Sequence, residues 1–86
     1  MPTISTFFGV VIQMFWREHG PPHFHALYGE HEVVIDIREL RVTRGSLPRR
    51  ALSLVLEWAV DHREELLENW ELCSQLKTPN LIPPLE

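Results

Sequence analysis

The residues best suited to chemistry lie in one short run, His19-Gly20-Pro21-Pro22-His23-Phe24-His25-Ala26. Successive side chains of an extended strand point to opposite faces, so His23 and His25 share one face while Phe24 takes the other. Residues two apart on a strand face stand about 6 to 7 Å from each other, which lets both imidazoles converge on one ion. In that use His19 or Asp36 completes the ligand set, a position stays open for water, and zinc is the ion that suits the donors. Asp36 has a second possible role, holding one imidazole in its tautomer from outside the metal. In a metal-free use His23 and His25 act as acid and base on an RNA phosphodiester, since imidazole exchanges protons near neutral pH. Asp36 then orients them, and Arg17 or Arg38 stabilises the negative charge of the transition state. The third use is structural only: a His-x-His pair as polar cover on a strand face, with Phe24 supplying the anchor. Of these the RNA-directed site is the working expectation and needs no cofactor; a non-enzymatic protein-interaction or regulatory module, binding a partner through the apolar first strand or the proline-rich tail, is the alternative, and a divalent transition metal such as zinc held by His23 and His25 is the second.

The elements that position these groups follow from pattern and turn chemistry. Residues 4 to 16 are aromatic and β-branched with no acid or base, the composition of a strand covered on both faces. Gly9 within it marks a bulge or a close backbone approach. Pro21 and Pro22 stop the chain and set its re-entry. A second strand then runs from His23 to Tyr28 and a third from about His31 to Arg38, joined by Gly29-Glu30 as a two-residue turn of type II′. That turn sets Tyr28 opposite His31, Ala26 opposite Val33, Phe24 opposite Ile35 and His23 opposite Asp36. Slipping by one residue would scatter the apolar face and carry the acid away from the histidine. Glu39 to Gly45 is either a short further strand or a turn.

Ser46-Leu47-Pro48 predicts a helix start, with serine able to cap and proline tolerated in the first turn. From there Leu47, Ala51, Leu52, Val55, Leu56, Trp58 and Ala59 recur at helical spacing. Asp61-His62-Arg63-Glu64 looks like a capping box, so a break near residues 60 to 62 should separate a second helix that reaches about Leu76. Three prolines after Thr78 rule out further helix, and Leu81, Ile82 and Leu85 are left to dock on the core or on a partner. The expected architecture is α+β: a three-stranded, mainly antiparallel meander over about 4–44, packed against two helices over about 47–76, with an extended tail over 78–86.

An 86-residue chain has room for one domain, here 1–86, and its 44% hydrophobic and 23% charged composition is that of an ordinary globular protein. The formal charge of −4 argues against a general polyanion binder. Charge is nevertheless uneven, with Arg38, Arg41, Arg44, Arg49 and Arg50 forming a basic shoulder and an acidic C-terminal third opposing it. Such asymmetry is compatible with an oriented partner or a homodimer. Cys73 is the single cysteine, so an intrachain disulfide is impossible and a reducing compartment is the simpler expectation. With no leader pattern and no apolar run of membrane-spanning length, the expectation is a cytoplasmic protein that does not associate with membranes.

Met1-Pro-Thr-Ile-Ser5, Phe7-Phe8-Gly9, Pro21-Pro-His-Phe-His-Ala26, Val34-Ile-Asp36, Leu47-Pro-Arg-Arg-Ala-Leu52, Leu54-Val-Leu-Glu-Trp-Ala59, His62-Arg-Glu-Glu-Leu-Leu-Glu-Asn-Trp70 and Pro84-Leu-Glu86 together resemble the short bacterial DUF4160 domain. The Pro-Pro-His-Phe-His-Ala run combined with the Glu-Asn-Trp segment is the specific part. The resemblance implies a component of a two-gene, toxin–antitoxin-like pair, whose partner is a small protein encoded by a neighbouring gene. It brings no established catalytic residues. Glu30 stands where many relatives have a second turn glycine.

Overall fold

Phe8 and Gly9 divide the apolar N-terminal run into two strands. In the computed structural model, which describes residues 2–86, β1 (Thr3–Phe7) and β2 (Val10–Gln13) form a hairpin across this pair. Phe8 and Gly9 have φ of 48° and 84°, the two successive positive values of a type I′ turn. The single strand expected over 4 to 16 is therefore corrected. Gly9 is a turn residue, and the ring of Tyr28 would lie only 3.3 Å from a Cβ placed on it.

β3 (His23–Tyr28), β4 (His31–Asp36) and β5 (Arg41–Gly45) continue the meander, giving one antiparallel sheet in the order β1-β2-β3-β4-β5. The sheet has five strands, so the three-stranded expectation is overturned, although the α+β class stands. Two local causes account for the difference. One is the Phe8-Gly9 turn; the other is a tight reversal before β5, where Leu40 takes a φ of 53° and its N–H donates to the Asp36 carbonyl at 2.8 Å. The β3–β4 register is the expected one, with His23↔Asp36, Phe24↔Ile35, Ala26↔Val33 and Tyr28↔His31. Gly29 has a φ of 58° and Glu30 a negative one, the φ pattern of a type II′ turn.

Helix α1 (Arg49–Asp61) and helix α2 (Arg63–Ser74) are separated at His62, whose φ of −123° and ψ of 23° interrupt the helical path. Ser46 does not cap α1; its N–H donates to the Glu32 carbonyl and prolongs the contact of β5 with β4, while the Pro48 carbonyl accepts the first helical bond from Leu52. At the second start the side chain of His62, not that of Asp61, pairs with Glu65. Ala51, Val55, Trp58 and Ala59 are the buried stripe of α1. They lie over the sheet face that carries Ile4, Ile12, Phe24, Ala26, Val33 and Ile35, all fully buried. Trp58 centres this layer, its ring 5.4 Å from Phe7 and 6.0 Å from Phe24. Side chains of this size each contribute roughly 1.5 to 3 kcal/mol when buried.

The tail docks on its own domain. Asn69 of α2, itself 1% exposed, donates to the Asn80 carbonyl at 2.9 Å and accepts from the Asn80 N–H at 2.8 Å. The Ile82 N–H then reaches the Ile4 carbonyl on the outer edge of β1, and the Trp58 indole N–H donates to the Pro83 carbonyl. Trp16 is half exposed and anchors by its indole N–H to the Lys77 carbonyl, which ties the β2–β3 connection to the segment that follows α2. Cys73 lies on the buried face of α2, and burial pushes its thiol up from the ordinary range. No helix is long and apolar enough to cross a membrane among the described residues.

Candidate metal centre

His23 and His25 project from the face of β3 opposite to that of Phe24 and Ala26. The connection from Met14 to Pro22 folds over this face and roofs it. Phe15 meets the His25 ring edge-on with centroids 4.4 Å apart, and Trp70 lies against the His23 ring at 4.9 Å. Arg17 takes a φ of 64°, a left-handed conformation that costs a non-glycine residue about 1 kcal/mol or more. That reversal brings the next residue, Glu18, onto the imidazoles. Glu18 Oε1 lies 3.2 Å from His23 Nε2 and 2.8 Å from His25 Nε2. One ligand atom from each of the three residues falls within 4.8 Å of the others.

The outer nitrogens are also engaged. His23 Nδ1 is 2.9 Å from the Pro21 carbonyl, and His25 Nδ1 is 3.1 Å from Glu32 Oε2. A carbonyl oxygen only accepts, so His23 Nδ1 carries a proton and donates it; the Glu32 carboxylate imposes the same on His25 Nδ1. In neutral imidazoles both Nε2 atoms then turn lone pairs toward Glu18 Oε1, another acceptor. The two rings stand with centroids 5.5 Å apart, and a proton or a cation shared among these three atoms satisfies the facing acceptors.

A cleft of about 340 Å³ adjoins the constellation, lined among others by Glu18, His19, His23, Asp36, Thr43 and Arg44. His19 is exposed on its wall and lies outside the close cluster. Asp36 stands opposite His23 in the register, and its Oδ1 accepts the Glu39 N–H at 2.7 Å in the turn into β5. Arg17 and Arg38 are exposed and do not line the cleft, where the cation is Arg44. His31 is exposed at the hairpin, and His62 packs on Trp58 away from the cleft. Glu18 and Glu32 are the two members that sequence reasoning missed. Glu32 was within reach of it: Val34 opposes His25, and Glu32 is the next residue on the same strand face, diagonal to that histidine. Glu18 gave no such signal, because a non-periodic connection delivers it. A second notch of about 230 Å³, between Phe8, Tyr28, Arg50 and Leu54, carries no acid or imidazole.

Residues 9–71 match the model of the family described as Domain of unknown function (DUF4160), a span that takes in Glu18, His23, His25, Glu32 and Arg44. No curated protein and no solved structure gave a match.

Proposed function

Since the chain belongs to the DUF4160 family, defined by a domain of unknown function, its activity has to be read from its own residues, and we propose that it binds one divalent transition-metal ion through Glu18, His23 and His25. The observation that carries this reading is the direction of the two imidazoles. Each has its Nδ1 committed to an acceptor, so each offers Nε2 to the same carboxylate. Ligand bonds of about 2.0 to 2.2 Å place neighbouring ligand atoms about 3.0 to 3.5 Å apart, and the 2.8 and 3.2 Å separations at Glu18 need only small adjustment. Two histidines and one carboxylate leave coordination positions for water or substrate, and this donor set suits first-row ions such as zinc, iron or manganese. The Glu32–His25 contact is the carboxylate–histidine pairing that fixes a ligand's tautomer and raises its basicity. The metal-free acid–base reading has less support, because His25 is buried and both its nitrogens are engaged by carboxylates, leaving none for a substrate.

The test is calorimetric titration of untagged protein with Zn²⁺ and Co²⁺, paired with elemental analysis of the purified protein. The expected result is one ion per chain, with tight binding lost in His23→Ala/His25→Ala while the circular dichroism spectrum stays native. Binding that survives the double substitution, or no binding below millimolar metal, would overturn the proposal.

A further inference from the structure

We infer that the cleft beside this centre receives a phosphate group, held between the ion and Arg44; the inference rests on the metal reading above. Arg44 pairs with Val34 across β4 and β5, and Val34 pairs with His25 across β3 and β4. Directly paired residues share a sheet face, so Arg44 and His25 face the same way from strands two apart, about 10 Å between backbones. Arg44 lines the same cleft as Glu18 and His23, and the cleft volume of about 340 Å³ has room for a tetrahedral oxyanion. Among the described residues Arg44 enters no ion pair, and it lines the cleft together with His19, a further polar group for anion oxygens; the Thr43 hydroxyl already donates to the Val34 carbonyl. Guanidinium is the cation best shaped for two-point contact with phosphate.

Charge sets the order of binding. The lining acids Glu18 and Asp36 outnumber Arg44, so the cleft without an ion repels anions. A divalent ion reverses that sign at the mouth and offers open coordination positions to a phosphate oxygen. Glu32 lies on the far side of the His25 ring and does not line the cleft. Phosphate therefore binds after metal and not before it.

The experiment uses Co²⁺-loaded protein, whose visible absorption reports ligands entering the metal shell. Inorganic phosphate should change the bands saturably, and Arg44→Ala should weaken that binding about tenfold or more while Co²⁺ affinity stays within about twofold, the loss expected for a charge-assisted contact. Arg44→Lys should recover part of the loss. A parallel titration with a ribodinucleoside monophosphate separates the sources: tighter binding than inorganic phosphate assigns a phosphodiester, and weaker binding assigns free phosphate. Unchanged bands with both probes, equal phosphate affinity in Arg44→Ala, or equal binding to metal-free protein would overturn the inference while the metal centre stands. If Co²⁺ itself fails to bind, the metal reading falls first and this one with it.

Discussion

Replacing Asn69 by leucine should release the C-terminal tail and cost about 2 kcal/mol. The side chain is 1% exposed and makes two bonds to Asn80, at 2.9 and 2.8 Å. Leucine keeps the same branched four-heavy-atom skeleton, so no cavity opens and the loss is that of the two bonds, each worth about 1 kcal/mol net. Asn80 is exposed and its freed backbone groups can turn to water, so no full desolvation penalty is added. The surface contact of Asn80 Nδ2 with Glu68 is too solvated to hold the segment. For a domain of this size each kcal/mol lowers the melting temperature by about 4 to 8 °C, so the variant should melt roughly 10 °C lower. Hydrogen exchange supplies the local readout: the Ile82 amide, bonded to the Ile4 carbonyl at 2.8 Å, should lose protection ahead of the sheet. A melting shift under about 2 °C with Ile82 still protected would refute the reasoning and leave the tail held by Ile82 packing and the Trp58–Pro83 bond alone.

Glu18→Gln keeps the shape but removes the charge, and titration calorimetry should show metal affinity lowered by about tenfold or more. Glu32→Gln acts only through the His25 tautomer, from a half-exposed position, so its effect should fall near the low end of the roughly 10- to 100-fold range for outer partners. Metal at a hundred times its dissociation constant should stabilise the fold by about 2.7 kcal/mol, read as a melting temperature raised by roughly 10 to 20 °C in wild type and not in His23→Ala/His25→Ala. Cys73, buried and with its thiol pushed up, should resist alkylation in native protein and react promptly in denaturant, as a thiol-reagent time course will show.

The central hairpin was legible because two independent rules agree on it. A two-residue turn at Gly29-Glu30 and the alternation through Phe24, Ala26, Val33 and Ile35 demand the same register, and the structure has it. The first hairpin was not legible, since its turn asks Phe8 to take a left-handed conformation that nothing in its type favours. β5 was undecidable because Leu40 and Val42 alternate over too few residues; the reversal is set by a backbone bond and the Asp36 side chain. That same engagement explains why the register alone was an incomplete guide to the site. Asp36 stands opposite His23 as expected, yet its Oδ1 serves its own turn, and the acid that touches both imidazoles arrives from the roof. Helix starts were blurred by the same kind of substitution, with Pro48 and His62 standing where Ser46 and Asp61 were expected to cap.

The tail also decides how many molecules the sheet can recruit. By laying Ile82 against Ile4 it occupies the margin of β1, and β5 keeps the one bare margin among the described residues. Fibrous stacking of strands needs two receptive margins on every molecule, and this one presents a single margin studded with arginine. Growth from it ends after one addition. Removing residues 79–86 would uncover the second margin, so this segment is the part of the chain that keeps strands from adding on both sides.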